Sequence, residues 1–298
     1  MKRLNVLIGL MFMLLTADAQ KFVWYGANGV SQVETGLGNV TGTQGLWFSY
    51  ADDGDGGASC VVWDSEMVDD MVTTPKYTGG VSGTMVLNKK DLYYSPFAGV
   101  GFNIVGEAPR SSSDEYPPLL SADVSGWGGL CISYMSDADM YVELGLGDMD
   151  VEIAYANPYC TLPSSATGNT VRIPWSDFKQ PSWYENEPKM PGEEAAKKLV
   201  CVKFKIQNED GSYHFNIYGI GSLNVDGATP PSATVMTGDA NGDGDVTMAD
   251  ANMVVNYFLS ANKSSIKGFD FRNANTNGDD EITMADANQI VSMYLNSK

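Results

Sequence analysis

The sequence contains few positive charges and almost no histidine. It has 18 lysine and arginine residues against 37 aspartate and glutamate residues, and His214 is its single histidine. The formal net charge of −19 opposes binding to nucleic acids and to anionic membranes, because both attract basic surfaces. We therefore expect no nucleic-acid partner. With one histidine and no cysteine spacing of the zinc type, the sequence also disfavours a zinc centre.

Long apolar segments are scarce as well. The apolar stretch Val6–Leu15 follows Lys2 and Arg3, but it is too short to span a bilayer. Ala17-Asp18-Ala19 then supplies a cleavage site of the small-x-small type. This pattern predicts an export signal over residues 1–19. Because no later apolar run is long enough to span a membrane, we expect a secreted, extracellular protein without membrane insertion.

Cysteine is also rare, and the last third of the chain has only one. The four cysteines are Cys60, Cys131, Cys160 and Cys201. In an exported chain this even number permits two disulfides, with three possible connectivities. Cys131 and Cys201 lie in apolar, strand-like segments, so buried free thiols are the alternative that the sequence leaves open.

The C-terminal part of the chain contains an acidic twelve-residue loop twice, the second copy 36 residues after the first. Oxygen side chains at loop positions 1, 3, 5 and 12, with a main-chain carbonyl at position 7, are the ligands that calcium prefers. The sequence therefore predicts two EF-hand-like sites for two Ca²⁺ ions. The candidate ligands are Asp239, Asn241, Asp243, Asp245 and Asp250 in the first loop, and Asn275, Asn277, Asp279, Glu281 and Asp286 in the second.

Each loop is followed by the same short helix pattern. Val254, Val255, Tyr257 and Phe258, with the residues 36 positions later, predict a buried apolar stripe on each helix. Position 8 of each loop is apolar (Val246 and Ile282), and we expect these two side chains to pair in a shared core. The first loop has no incoming helix before it, because residues 227–236 have the composition of a linker.

This combination of loops and helices over residues 237–298 resembles a type I dockerin. Dockerins are calcium-dependent modules that attach secreted enzymes and binding proteins to cohesin domains of a cellulosome-type scaffold. The resemblance implies a cohesin partner and a place in a cell-surface complex held by that scaffold. It also implies cohesin contacts at loop positions 10 and 11, which are Met248, Ala249, Met284 and Ala285; packing at the start of each helix is the alternative. Since the module is small, calcium should stabilise its fold, and chelation should abolish scaffold binding.

The second loop departs from the dockerin pattern at two positions. Asn275 replaces aspartate at position 1, and Asp280 replaces glycine at position 6. The first loop thus has three carboxylates among its side-chain ligands, and the second has two. Since calcium affinity rises with the charge of the ligands, we expect the second site to bind calcium more weakly.

Residues 20–226 are long enough for one well-filled core. Eleven short apolar or alternating segments, separated by Gly, Asp, Asn and Pro, predict strands here. They include Met140–Leu146 and Val151–Tyr155, whereas Gly192–Lys198 predicts one short helix. The whole chain is therefore predicted to be mainly β. We expect an antiparallel β-sandwich or jelly roll, followed by the small α-helical dockerin.

Three motifs in this region resemble carbohydrate-binding modules of jelly-roll form and galactose-binding-like type. They are Leu46–Ser59, Gly126–Tyr134 and Val171–Phe178. The resemblance implies that one face of the sandwich binds a sugar, and it points to plant cell-wall polysaccharide. The first motif also contains Asp52, Asp53 and Asp55. The sequence leaves two interpretations of these aspartates open, a calcium site and a polar turn.

A sugar ligand requires flat aromatic faces and polar groups that bond its hydroxyls. Tyr141 and Glu143 share one face of their predicted strand, which is either a ligand platform or a solvated surface. Trp183 and Tyr184 lie in a proline-rich loop and are candidates for stacking on sugar rings. The alternative is a glycoside hydrolase of jelly-roll form, with Glu143 and Glu152 on neighbouring strands as its carboxylate pair. A structural or adhesive subunit is the third possibility.

Overall fold

The computed structural model describes residues 21–26, 30–63, 67–68, 71–72, 80–110, 117–223, 236–260, 266, 269–279 and 281–297. The predicted export signal, residues 227–235 of the predicted linker and Asp280 lie outside the described residues.

The region before the dockerin-like segment is built from two antiparallel sheets, as predicted. The strands are β1 (Val23–Tyr25), β2 (Trp47–Ala51), β3 (Cys60–Trp63), β4 (Met67–Val68), β5 (Met71–Val72), β6 (Val81–Leu87), β7 (Phe97–Asn103), β8 (Gly129–Ser136), β9 (Met140–Gly145), β10 (Tyr159–Leu162), β11 (Ser165–Pro174), β12 (Cys201–Gln207) and β13 (Gly211–Ser222). One sheet has the order β11-β8-β13-β6-β3, with β1 paired to β13, and the other has the order β10-β9-β12-β7-β2. β4 and β5 form a separate hairpin.

The alternation of apolar and polar residues along each strand decides which side chains enter the core. On β9, Val142 and Leu144 are fully buried, whereas Tyr141 and Glu143 lie on the opposite face. This arrangement confirms the alternation expected for the segment. Large side chains fill the space between the two sheets, and Trp47 is among the most buried of them. The prediction of an antiparallel sandwich is therefore confirmed.

One predicted strand is wrong. Residues Met149–Glu152 form the short helix α1, and Tyr155 has a positive φ of 58°. The reason is Asp150, whose Oδ1 accepts hydrogen bonds from the Leu146 N–H at 2.7 Å and from the Asn157 side chain at 2.5 Å. These bonds close a turn, although the sequence there alternates as a strand does. The edge position is occupied instead by β10, which the prediction missed, while the ten other predicted strands overlap strands of the structure.

The cysteines and the short helix settle two further expectations. All four cysteines lie among the described residues and have free thiols, so the two-disulfide alternative is not formed. Cys131 and Cys201 are buried, as the free-thiol alternative required. The short helix expected at Gly192–Lys198 is present as α2 (Gly192–Ala195), which a single 3₁₀ turn continues to Lys198.

The C-terminal segment contains the helices α3 (Met248–Leu259), α4 (Phe271–Ala274) and α5 (Met284–Asn296). α3 and α5 pack against each other around Val254, Tyr257 and Ile290. The Tyr257 ring stacks on Phe269, with 4.1 Å between ring centroids. Phe258 was expected in the same buried stripe, and that was wrong, because the face shared with α5 is narrower than the stripe and leaves Phe258 42% exposed. Among the described helices, none has the length and apolarity that crossing a membrane requires.

We predict that Trp47→Ala destabilises the sandwich by about 3–5 kcal/mol, the range for a large aromatic side chain deleted from a core. The Trp47 ring packs on Trp24, Phe102 and Phe204, and its indole N–H donates to the Ser31 carbonyl at 2.8 Å. Denaturant unfolding of the sandwich measures the loss.

The control is Trp183→Ala, which removes the same side chain at a site that is 64% exposed. This change should alter the unfolding free energy by no more than about 0.5 kcal/mol. Equal effects of the two substitutions would contradict the assigned core.

Candidate calcium loops and ligand-binding face

The side chains of the first acidic loop converge on its own backbone. Asp239 accepts hydrogen bonds from the N–H groups of Asp243 at 3.1 Å and Gly244 at 3.0 Å. Asp250, which is fully buried, accepts one from the Asn241 N–H at 3.0 Å. Gly244 has a φ of 93°, in the left-handed region that glycine adopts without strain. The chain is therefore wrapped around the oxygen atoms of positions 1 and 12.

The second loop repeats this arrangement at most positions. The Asp279 N–H donates to the Asn277 side chain at 3.0 Å and the Glu281 N–H donates to Asp279 at 2.9 Å, as the equivalent groups do in the first loop. Asp286 accepts from the Asn277 N–H at 3.3 Å. Asp279 and Glu281 thus occupy the positions expected from the sequence repeat. The two loops therefore have similar structures as well as similar sequences.

The carboxylates at position 12 also begin the two helices. Asp250 accepts a hydrogen bond from the Thr247 N–H at 2.7 Å, and Asp286 accepts one from the Thr283 N–H at 2.9 Å. Each threonine hydroxyl in turn accepts from the helix backbone, which completes a capping box at the start of α3 and α5. Capping boxes satisfy backbone donors that the first helical turn leaves free. The loop and the helix behind it are therefore held by one carboxylate.

The loops differ at position 1. Asn275 accepts a hydrogen bond from the Gly278 N–H at 3.0 Å, but its amide nitrogen donates to the Asp279 carbonyl at 2.5 Å. Asp239 uses both of its side-chain oxygens as acceptors. An amide N–H is a donor and cannot ligate a cation. Asn275 thus offers one side-chain oxygen where Asp239 offers two, and the weaker second site stays a prediction.

The donor set of the first loop suits a hard cation. All its side-chain donors are oxygens, and three of them are carboxylates. Burial raises the pKa of Asp239, and the nearby Asp250 and Asp243 carboxylates add to this, although N–H bonds from Gly244 and Asp243 oppose it. A divalent cation would neutralise this repulsion. Among the described residues, no three His, Cys, Asp or Glu side chains already stand in metal-binding geometry.

The residues expected to contact cohesin occupy equivalent surface positions. Met248 is 42% exposed and Met284 is 41% exposed, each at the first position of its helix. Ala249 and Ala285 follow them and are exposed as well. The two repeats thus present the same apolar pair to solvent.

The five-stranded sheet has an outward side that combines rings with charged groups, and we call it the outer face. It is formed by Phe48, Tyr50, Phe97, Tyr141, Glu143, Tyr159, Lys203 and Lys205. Strand register aligns all of these residues except Phe97 in two rows. One row runs Phe48, Gly101, Lys203, Glu143 and Tyr159, and the other runs Tyr50, Gly99, Lys205, Tyr141 and Thr161. The sequence identified only Tyr141 and Glu143.

Two glycines allow the rings of the edge strand to lie over the sheet. A Cβ atom at Gly99 would collide with the Tyr50 ring, and one at Gly101 would lie 2.7 Å from Cζ of Phe48. The rings of Phe48 and Tyr50 therefore fold from β2 across β7. Tyr50 continues toward Phe97, with 6.3 Å between ring centroids. Glycine at both positions of β7 thus lets the two rings cover that strand.

The charges of the outer face are paired within it. Lys205 Nζ lies 2.5 Å from Glu143, and Lys203 Nζ lies 3.4 Å from Asp150 and 4.0 Å from Glu143. Burial lowers the pKa of Lys203, but Glu143, Cys201 and Asp150 raise it by more. Two ammonium groups therefore face two carboxylates, and the centre of the face is close to neutral.

The side chain of Tyr50 is buried among these charged groups. Its hydroxyl is buried and has no hydrogen bond of good geometry, although Glu143 is near enough to influence it. Burial raises the pKa of Tyr50 well above its usual value, and the Glu143 carboxylate raises it further. The hydroxyl consequently stays protonated.

The proline-rich loop holds one exposed and one buried aromatic residue. Trp183 is 64% exposed, but Tyr184 is only 5% exposed. The Lys189 ammonium lies 5.2 Å from the centre of the Tyr184 ring and donates to the Tyr184 carbonyl at 2.9 Å. The prediction that Tyr184 stacks on sugar was therefore wrong. The loop begins beside β10, because Lys179 pairs with Tyr159.

The carboxylate pair expected for a hydrolase does not lie on neighbouring strands. Glu143 is on β9 and bonded to lysine, whereas Glu152 is exposed at the end of α1. The predicted placement of Glu152 was wrong because its segment is not a strand. Asp52 accepts bonds from the Ser59 N–H at 3.0 Å and the Phe97 N–H at 2.8 Å, as the polar-turn alternative requires.

We predict that exchanging the residues at position 1 exchanges the calcium affinities of the loops. Asn275→Asp should tighten the second site and Asp239→Asn should weaken the first, each by about tenfold, or about 1.4 kcal/mol. The reason is the added or removed carboxylate. Calorimetric calcium titration of the full chain measures both, and two equally tight sites in the unaltered chain would contradict the assigned difference.

Comparison with known proteins gives a family match for the C-terminal segment. No curated protein matches the sequence. Solved structures similar to the chain include a family 11 carbohydrate-binding module from Clostridium thermocellum in complex with a beta-1,3-1,4-mixed-linked tetrasaccharide. It is 11% identical, with 58% of this chain and 87% of that chain covered and a TM-score of 0.30.

Two further similar solved structures are also carbohydrate-binding modules. A family 29 carbohydrate-binding module is 7% identical, with 71% of this chain and 96% of that chain covered and a TM-score of 0.31. A family 30 module is 13% identical, with 56% and 92% covered and a TM-score of 0.31. Residues 237–296 match the family model of the dockerin type I domain. The predicted resemblance is thus confirmed, and this segment is a type I dockerin, a module that binds calcium and implies a cohesin partner.

Proposed function

We propose that the protein is a secreted component of a cellulosome-type complex that binds plant cell-wall polysaccharide through the outer face of its sandwich. Residues 20–226 form the binding domain, and residues 227–236 link it to the dockerin over residues 237–298. The dockerin, loaded with two calcium ions, attaches the protein to a cohesin of the scaffold. The export signal over residues 1–19 delivers the chain outside the cell.

The proposed binding role rests on one observation, the combination of aromatic rings with charged groups on the outer face. Rings from β2, β7, β9 and β10 lie beside amines and carboxylates from β9 and β12. Aromatic faces pack on the C–H surfaces of sugars, and the polar groups bond their hydroxyls. Five strands about 4.8 Å apart give a surface about 19 Å wide. An extended chain of several sugar units fits this width.

The pairing of charges on the face favours a neutral glycan. Lys203 and Lys205 are each held by a carboxylate. An anionic polysaccharide would have to displace Glu143 and Asp150, which costs free energy because those groups are largely buried. Hydroxyl groups can instead bond the free lone pairs and N–H groups at the edges of this network.

The attachment role follows from the dockerin assignment together with the surface of its helices. Met248 and Met284 present equivalent exposed side chains, and methionine adapts its shape to a partner surface. Because each pair sits beside a calcium loop, metal binding fixes the helix start that carries it. Two equivalent surfaces allow the cohesin to bind in either of two orientations.

We predict that Tyr141→Ala lowers affinity for polysaccharide by about tenfold, or about 1.4 kcal/mol. Tyr141 contributes a ring at the centre of the outer face, and its loss removes stacking area. Affinity electrophoresis on gels containing β-glucan, xylan or mannan measures binding. Val62→Ala, at an exposed residue of β3 in the other sheet, is the control and should bind as the unaltered chain does.

Retention of the unaltered chain by none of these gels would refute the binding role. Reducing-sugar release from the same panel, repeated with Glu143→Gln, tests the hydrolase alternative.

We predict that Met248→Asp and Met284→Asp each leave cohesin binding largely intact, because the other helix still offers its surface. The double substitution should lower affinity by at least about a hundredfold, or about 2.7 kcal/mol. Calorimetry against type I cohesin domains in calcium measures this, and the same titration in excess chelator is the control. If the double variant bound with unaltered affinity, these methionines would not be the contact residues.

A further inference from the structure

A pocket of about 240 Å³ lies at the β2 end of the outer face. Its apolar walls include Leu46, Phe48 and Leu119, and its polar groups come from Thr43, Asn103 and Glu107. Phe48 belongs both to this pocket and to the first row of the outer face. The pocket is therefore a continuation of that face, and it is smaller than the roughly 300 Å³ at which sites for drug-sized ligands begin.

Asn103 is the unusual group in this pocket. Its Oδ1 atom is buried and has no hydrogen-bond partner among the described residues. Asn103 ends β7 and pairs with Cys201 of β12, two residues beyond Gly101. Its side chain therefore stands on the same side of the sheet as the two rows of the outer face. A buried carbonyl without a partner destabilises a folded protein, so such groups require an explanation.

The other polar groups of the pocket are placed around the same space. The Thr43 hydroxyl accepts a hydrogen bond from the Glu107 N–H at 2.7 Å and lies 2.8 Å from the hydroxyl of Thr41. These bonds fix the loop that carries Thr43 against the segment that carries Glu107. An amide and a hydroxyl beside an apolar pocket are the kinds of group that orient a polyhydroxylated ring.

We propose that this pocket binds one sugar unit at the end of the glycan held by the outer face, with the Asn103 amide bonding adjacent hydroxyls of that unit. The amide has a carbonyl that accepts and an N–H₂ that donates, which matches two neighbouring hydroxyls. The Phe48 ring forms the boundary between this unit and the next. The inference rests on the proposed function of the outer face, and it adds a fixed chain direction to it.

The direction follows from the asymmetry of the face. The pocket lies at the β2 edge, whereas the opposite edge is formed by Tyr159 of β10 and the exposed Trp183 loop beside it. The buried amide near the β10 edge, Asn157, already bonds Leu144, Asp150 and Lys203, so among the described residues of the two edges only Asn103 has an unbonded amide oxygen. A chain that fills the pocket with one end must run toward β10 with the other.

The test is Asn103→Leu, which keeps the approximate size of the side chain and removes its polar atoms. Calorimetry is done with β-glucan, xylan and mannan oligosaccharides of three to six sugar units, together with thermal unfolding of each variant. We expect at least a tenfold loss of affinity for the six-unit ligand that the unaltered chain binds best, and a smaller loss for three-unit ligands that the two rows can hold alone. The melting temperature should stay the same or rise, because an unpaired buried carbonyl has been removed.

Several outcomes overturn the inference. Unaltered affinity for every ligand length would mean that only water fills the pocket. A parallel fall in melting temperature and affinity, in Asn103→Leu and in Asn103→Asp, would mean that Asn103 is structural. If Tyr141→Ala weakens binding and Asn103→Leu does not, the outer face is the glycan site and only the pocket assignment fails. If the unaltered chain binds no oligosaccharide, the proposed function fails with it.

Discussion

The buried carboxylate at position 12 of each loop is the contact on which the C-terminal module depends. Asp250 and Asp286 are fully buried, and each bonds the backbone of its loop and the first turn of the next helix. Burying a charge without a cation is costly. A calcium ion in the loop would compensate that cost, so metal binding and helix formation stabilise each other. The helix starts carry Met248 and Met284, so an ion bound in the loop would order the surface that we propose contacts cohesin.

The sandwich follows a different constraint, the two-residue period of its strands. Inward positions fill the core, and outward positions of five strands that are far apart in the sequence meet on one surface. Glycine at two outward positions of β7 leaves room for the rings of Phe48 and Tyr50. Asp52 fixes the start of β7, because it accepts hydrogen bonds from both Ser59 and Phe97. The surface is thus aromatic over β7, where the strand lacks two side chains, and charged where β9 and β12 meet.

Site residues could be predicted when they lie close together in the sequence, and could not when only the fold brings them together. The repeated conformation of the two acidic loops followed from the sequence, because the residues that form each loop lie within twelve consecutive positions; their role as calcium ligands stays a prediction. Tyr141 and Glu143 were found because they share one strand. Their neighbours Lys203 and Lys205 could not be found, since only the pairing of β9 with β12 brings them together. The alternation of Gly99 and Gly101 was a readable signal that the sequence prediction did not use.

The two errors near the site have local physical causes. Residues Val151–Tyr155 alternate as a strand does, but the Asp150 side chain binds Leu146 and Asn157 and closes a turn. Tyr184 lies among prolines and polar residues, a composition that indicates exposure, yet its ring packs into the main core of the sandwich. In both cases tertiary contacts override the pattern of the surrounding residues. Composition describes the average environment of a segment and cannot report such a contact.

Buried polar atoms of the sandwich differ in whether the fold supplies their hydrogen bonds. Asp52 is fully buried, and its carboxylate accepts bonds from the backbone and the hydroxyl of Ser59. By contrast, the Tyr50 hydroxyl and the Asn103 carbonyl are buried and unbonded among the described residues. Both lie on the outer face or at its edge. The buried indole N–H groups of Trp63 and Trp175, elsewhere in the sandwich, are unbonded among those residues as well. The place of the Asn103 carbonyl, in the wall of a pocket at the edge of the outer face, is therefore what supports the ligand that we propose there.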